Sequence, residues 1–205
     1  MEIVLATRNR KKIEEIIRIT QGLTVTILTL DDFPGCPEAE EDGKTFEENA
    51  IKKAVTVSKY TRKSALADDS GLEVYALKGA PGTLSARYAG ESANDQNNIE
   101  KLLKEMRFVP EHDRKARFVC CMALAFPDGT INTFYGTSEG KIGTEPRGAG
   151  GFGYDPVFYP KGFSITFAEM NGQRKDMLSH RGKALREVQE YLRIQKKKKK
   201  FPLIK

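Results

Sequence analysis

The run ALADDSGL (65–72) sets two adjacent carboxylates, Asp68 and Asp69, at the end of a short apolar stretch and follows them with Ser70 and Gly71. Two charges side by side are costly where a strand leaves a core, unless something holds them. Hard carboxylate oxygens suit Mg²⁺, which takes only one or two protein carboxylates and keeps its other positions for water and phosphate. Successive side chains of an extended chain point to opposite faces. Asp68 and Asp69 should therefore have different jobs. More acids stand upstream in DDFPGCPEAEEDG (31–43), among them Glu38, Glu40, Glu41 and Asp42. A solvated surface loop accounts for most of these four.

A second stretch, TRNRKK (Thr7, Arg8, Asn9, Arg10, Lys11, Lys12), sits between an apolar run and a helical pattern. Asn9 can cap that helix, whose first turn offers free N–H groups and about half a positive charge. Lys12 opposes that charge, so it makes sense beside an anion such as phosphate. An unremarkable basic turn fits equally well. A Walker loop is absent; the nearest match, Gly136 to Lys141, has the wrong spacing and is followed by Ile142.

Two later stretches gather groups suited to a flat, oxygen-rich ligand. RGAGGFGYDP (147–156) contains a literal G-x-G-x-x-G but opens no helix, because Tyr154-Asp155-Pro156 blocks one. Its glycines allow close backbone approach, and Phe152 offers a ring for stacking on a base. The alternative is a glycine-rich loop with a core Phe. KDMLSHRGKAL (175–185) brings the donors Lys175, Ser179, His180 and Arg181 to a helix start, which Ser179 can cap.

The elements that must position these groups follow from periodicity. EIVLAT (2–7) reads as a buried strand, and Ile13, Ile16 and Ile17 mark a helix over about 11–20. Residues 23–30 read as a second strand. Thr45-x-x-Glu48 is a capping box opening a helix through Ala50, Ala54 and Val57. Lys53 follows Asn49 by four residues on that helix, where a solvated role is as open as a site role. Residues 64–67 read as the strand delivering the paired carboxylates, with Ser70 and Gly71 turning the chain. A helix carries Ile99, Leu102, Leu103 and Met106 on one face. RFVCCMALAF, Pro-Asp-Gly and TINTFYGTSEGKIG form an antiparallel hairpin, and a last helix covers about 182–194. Strands alternating with helices, then a hairpin, imply an α/β fold with a mixed sheet.

The chain has 205 residues, 39% hydrophobic and 30% charged, an ordinary globular composition. No apolar run reaches the roughly 18–20 residues of a membrane span, and the first residues lack the pattern of a secretory signal. Cys36, Cys120 and Cys121 show no C-x-x-C spacing, which fits a reducing cytoplasm and core roles. The net charge of +6 suggests nucleic acid until it is located. Residues 196–205, KKKKKFPLIK, hold six Lys and no acid, which accounts for all of it. The body, residues 1–195, is neutral. The reading is a single domain over 1–195 and a basic, flexible tail over 196–205, with nucleic acid and membrane disfavoured as partners.

The motifs T-x-N-x-x-K (Thr7, Asn9, Lys12), TFEENAIKKA (45–54), ADDSGL (67–72), APGTLSARYAG (80–90), GGFGYDPVF (150–158) and SHRGKAL (179–185) occur in this order. Together the chain resembles the inosine triphosphate pyrophosphatase family, hydrolases of non-standard purine nucleoside triphosphates such as ITP, dITP and XTP. The resemblance implies an elongated α/β fold, its long mixed sheet flanked by helices and carrying two lobes with the active site in the cleft between them. It also implies a homodimer and a reaction of NTP and water to NMP and pyrophosphate with Mg²⁺. By the same resemblance Thr7, Asn9 and Lys12, with the intervening Arg8, Arg10 and Lys11, bind the triphosphate. Asp69 is the proton acceptor and a metal ligand, joined by Glu40 or Glu41, and Ser70 contacts substrate. Phe152, with Gly153 and Tyr154 beside it, stacks on the base, and Asp155, Lys175, His180 and Arg181 read its edge. Asp68 becomes a brace, held by backbone or by a cation such as Lys53. Two other readings stand beside this one: a related pyrophosphatase of modified pyrimidine triphosphates, and nucleic-acid binding through the lysine tail.

Overall fold

The computed structural model describes residues 1–21 and 25–200, with the side chains of 198–200 left aside. Its centre is a six-stranded sheet in the order β2-β1-β3-β4-β5-β6. The strands are β1 (Glu2–Leu5), β2 (Thr26–Leu28), β3 (Ser64–Val74), β4 (Lys115–Ala125), β5 (Ile131–Ile142) and β6 (Phe158–Pro160). β1 pairs in parallel with β2 and β3, and the remaining neighbours are antiparallel. The sheet is mixed, as the alternation followed by a hairpin implied.

Among the described residues five α-helices flank it: α1 (Arg10–Thr20), α2 (Phe46–Thr61), α3 (Asp95–Glu105), α4 (Gly172–Leu178) and α5 (His180–Lys200). Their starts are written in short polar side chains. Asn9 accepts from the Lys12 N–H at 3.2 Å, Thr45 from the Glu48 N–H at 3.1 Å, and Asn94 from the Asn97 N–H at 2.9 Å. Each cap contributes about 1 kcal/mol.

Side-chain alternation sorts the long strands into two faces. On one, Ala65, Ala67, Val119, Cys121 and Ala123 pack under Ala50, Ala54 and Val57 of α2. On the other, Leu66, Cys120, Met122 and Leu124 pack under Ile16 of α1 and Ala184, Leu185 and Val188 of α5. A separate core lies toward the far end of β3, where Leu72 and Val74 meet Ile99, Leu102 and Met106 of α3 and the aromatic group Phe118, Phe158 and Phe167. Asp68, Asp69 and Ser70 fall between the two ends.

Four expectations need correction. The strand expected over 64–67 runs on to Val74. Ser70 and Gly71 therefore continue it and do not turn the chain, because the charges that seemed to end it are neutralised in place. The strand expected over 23–30 is the three-residue β2, and Leu30 opens a short 3-10 turn instead; residues 22–24 lie outside the described residues. Lys175 belongs to a helix of its own, α4, which Asn171 caps at 2.8 Å from the Arg174 N–H. The last helix, expected over about 182–194, runs from His180 to Lys200 and takes in residues 196–200 of the basic stretch, while 201–205 lie outside the described residues.

Candidate active site

A cavity of about 530 Å³ opens between the α1 start, the acidic loop, mid-β3 and the glycine-rich loop. That is within the roughly 300–1,000 Å³ of small-ligand sites. Of the residues singled out in the sequence, Thr7, Arg8, Asn9 and Lys12 line it, as do Glu41, Lys53, Asp69 and Ser70, and then Phe152 to Asp155, Lys175, His180 and Arg181. Arg10, Lys11 and Glu40 do not. Lys11 instead reaches the Gly151 carbonyl at 3.2 Å, and Glu40 is exposed.

The β3 carboxylates face opposite ways, as alternation requires. Asp69 points to the α2 side, where Lys53 Nζ donates to it at 3.0 Å and Asn49 Nδ2 at 3.1 Å. The same Lys53 ammonium donates to Glu41 at 2.9 Å. Of Glu40 and Glu41, only Glu41 shares a cation with Asp69. Burial raises the Asp69 carboxyl above its ordinary value even with Lys53 beside it. For Glu41 burial is outweighed by Lys53, Lys12 and Arg87, which hold it below the ordinary value.

Asp68, on the other face, is fully buried. Lys12 Nζ lies 3.0 Å from it and Arg181 Nη2 2.9 Å. Burial alone would raise its pKa, but Lys12, Arg181 and Lys53 overwhelm that and hold it far below the usual carboxylate range. Its direct partners are Lys12, Arg181 and the Ser70 hydroxyl, so of the expected holders, backbone or a cation such as Lys53, two other cations take the part. Asp68 is also an anion beside the ill-placed cation in the first turn of α1.

The glycine-rich loop and the α4–α5 junction form the other wall. Phe152 is half-buried, with Lys175 Nζ 4.8 Å and Arg181 Cζ 5.4 Å from its ring centre. Asp155 accepts from the Phe152 N–H at 2.8 Å and fixes the loop. Lys175 donates to Glu15 and Asp155, both at 2.7 Å, and Arg181 donates to Glu15 at 2.6 Å. Burial raises Asp155 despite Lys175, whereas Arg181 and Lys175 outweigh burial at Glu15 and lower it. Glu15 escaped the sequence reading. Its signal was an acid flanked by Ile13 and Ile16 on the apolar face of α1.

His180 stacks on Phe118, ring centres 4.6 Å apart and planes within 10°. Burial and the neighbouring Arg181 and Lys175 keep it neutral by lowering its pKa well below the usual value. Close packing plants it there: a Cβ on Gly136 of β5 would lie 2.1 Å from the His180 carbonyl oxygen, so α5 can start flush against the sheet only over glycine.

The arrangement can therefore hold an elongated anion. One end offers a helix start, Lys12, Lys53 and facing carboxylates. The other offers an aromatic ring beside buried cations.

The profile of the Ham1 family matches residues 3–191. A dITP/XTP pyrophosphatase of Desulforamulus reducens is 50% identical over 192 residues, covering 94% of this chain and 96% of that protein. A dITP/XTP pyrophosphatase of Geobacter sulfurreducens is 52% identical over 190 residues, covering 93% and 96%. Among solved structures, the Ham1 protein of Staphylococcus aureus superposes with a TM-score of 0.86 at 40% identity, covering 95% of this chain and all of that one. A HAM1 protein from Coxiella burnetii gives 0.86 at 42% identity over 94% and 98%.

Proposed function

The chain belongs to the Ham1 family, and on that premise we propose that it hydrolyses non-standard purine nucleoside triphosphates, among them dITP, ITP and XTP, to the monophosphate and pyrophosphate. One observation carries the reading. A single cavity joins a cation-rich helix start and facing carboxylates to an aromatic ring set beside buried donors.

Water attacks the α-phosphorus, the bond to the bridging oxygen breaks, and pyrophosphate departs. Lys12, Lys53 and the α1 N–H groups hold the phosphate oxygens, which is the electrostatic and positional work such transfers need. Asp69 accepts the proton of the attacking water, a role supported by its burial-raised pKa. Asp68 keeps Lys12 and Arg181 in place, and Ser70, 2.8 Å from Arg181 Nη2, contacts the substrate.

Mg²⁺ is the cofactor of this reading. The donor set fits it: Glu41 and Asp69 turn hard oxygens toward one point, where the Lys53 ammonium shows that positive charge is accepted. Among the described residues no group of three His, Cys, Asp or Glu forms a metal cage; Mg²⁺ needs none when phosphate and water complete its shell. When bound, the ion would neutralise phosphate charge and stabilise the leaving pyrophosphate.

The base lies on Phe152. Lys175 has three N–H donors, and its carboxylate bonds use two. The third suits the O6 acceptor of hypoxanthine or xanthine, whereas the amino group of adenine presents a donor to a donor. Such mismatches discriminate by up to about 10⁴. The same reading takes a homodimer in a reducing cytoplasm, which its three free, buried cysteines suit. Pyrophosphate release from ITP, dITP, XTP, ATP and GTP, with and without Mg²⁺, tests the reading; equal kcat/KM for ITP and ATP sinks it.

A further inference from the structure

Arg87 is a cavity-lining cation that the mechanism above leaves without a task. It ends the 3-10 turn Gly82–Arg87. Buried polar side chains fix the backbone on both sides of it. Ser85 Oγ accepts from the Leu72 N–H at 2.9 Å and donates to the Gly82 carbonyl at 2.6 Å. Asn98 accepts from the Ala89 N–H at 2.8 Å and donates to the Ala86 carbonyl at 3.0 Å. The turn also lies directly on β3: a Cβ on Gly71 would sit 2.4 Å from the Gly82 carbonyl oxygen.

From this anchored turn the guanidinium reaches across to the loop of Glu41. Nη2 donates to the Glu41 main-chain carbonyl at 3.0 Å, and Nη1 lies 3.9 Å from Glu41 Oε2. Lys53 holds the other oxygen, Oε1, at 2.9 Å. Residues 33–45 contain no helix or strand. Among the described residues, the main chain from Glu38 to Asp42 receives one hydrogen bond from another element, and it comes from Arg87.

We propose that Arg87 is the positioning residue of Glu41. It fixes the loop so that the Glu41 carboxylate faces Asp69, and it thereby sets the affinity of this carboxylate pair for a divalent cation. The proposal rests on the metal reading above. A lysine is a poor substitute, because one ammonium lacks the planar fork that serves a carbonyl and a carboxylate together. Losing such an outer partner of a ligating group typically weakens metal binding by about 10–100-fold.

The test is titration of the full chain with Mn²⁺ alone, reading the free ion by electron paramagnetic resonance. Arg87→Ala is expected to weaken Mn²⁺ binding about tenfold or more, and Arg87→Lys to restore little of it. Arg87→Gln keeps an N–H for the Glu41 carbonyl and should fall between parent and Arg87→Ala, which preserves the ordering where the alanine variant folds poorly. Arg117→Ala, at the surface pair with Glu73, should match the parent. If Glu41→Gln loses Mn²⁺ affinity while Arg87→Ala and Arg87→Gln keep it, the role of Arg87 is overturned and the metal reading stands. If Glu41→Gln binds Mn²⁺ like the parent, the metal reading falls and takes the proposal with it. If Arg87→Ala keeps Mn²⁺ affinity but raises the nucleotide KM at saturating metal, Arg87 contacts substrate and positions nothing.

Discussion

Asp68 and Asp69 are consecutive in β3, yet different cations hold their carboxylates on opposite faces of the sheet: Lys12 at 3.0 Å on Asp68, Lys53 at 3.0 Å on Asp69. Their titrations part accordingly. Asp68 is pressed far below the ordinary carboxylate range by Lys12, Arg181 and Lys53 against its burial, while burial lifts Asp69 above it. Neighbouring groups driven apart in this way suit different tasks, which supports the proposed division of Asp68 as a lasting anion and Asp69 as the proton acceptor.

The pair should therefore fail differently when changed. Asp69→Asn is expected to lose about 10²-fold or more in kcat while still binding nucleotide. Asp68→Asn should instead lose stability, by about 3–5 kcal/mol, because it leaves the buried Arg181 and the half-buried Lys12 short of a partner. Steady-state kinetics beside denaturant unfolding separates the two. Near-normal turnover in Asp69→Asn removes it as the base.

Acid should act on Glu15. Burial opposes its ionisation, but Arg181 and Lys175 prevail and its folded pKa lies below the unfolded value of about 4.5. A depressed carboxylate stabilises the fold above the unfolded pKa, and that contribution is lost as pH falls through the folded pKa. Glu15→Gln should melt lower than the parent at pH 7, and the gap should narrow as the pH is taken from 5 to 3. Thermal melts across that range check it; a gap that widens toward pH 3 contradicts the sign.

What the sequence disclosed was local. Caps at Asn9 and Thr45, the stripe of Ile13 and Ile16, and the hairpin of β4 and β5 depend on residues a few positions apart, and each was legible. The length of β3 was not. Asp-Asp-Ser looks like an exit from the core until Lys12, Arg181 and Lys53 arrive from three distant elements. Arg181, expected at the base edge, gives four of its five N–H donors to Asp68, Glu15 and Ser70. Ion pairs across 113 or 166 positions leave no trace in spacing. Glu15 alone left a hint, as an acid on an apolar face. The short α4 carried too few residues to show a period.

Phe152 should govern binding more than chemistry. Its ring lies beside Lys175 and Arg181, and stacking a base on an aromatic ring is worth about 1–3 kcal/mol. Phe152→Ala is expected to raise the KM for ITP about 5- to 150-fold, with a smaller change in kcat. An unchanged KM would place the base elsewhere.

The proposed metal reading rests on a contrast between neighbours. Glu40 is exposed, while Glu41 faces Asp69 through the shared Lys53 ammonium. A ligand must present its oxygen where the other carboxylate presents its own, and only Glu41 does so. Glu41→Gln should raise the Mg²⁺ concentration giving half-maximal turnover by about tenfold or more, since one of two charged ligands is gone. Glu40→Gln should leave it unchanged, and chelation of divalent ions should abolish turnover in both. The measurement is initial rate of pyrophosphate release against free Mg²⁺. A shift in Glu40→Gln with none in Glu41→Gln would mean that the loop rearranges when nucleotide enters and that Lys53 marks the wrong partner.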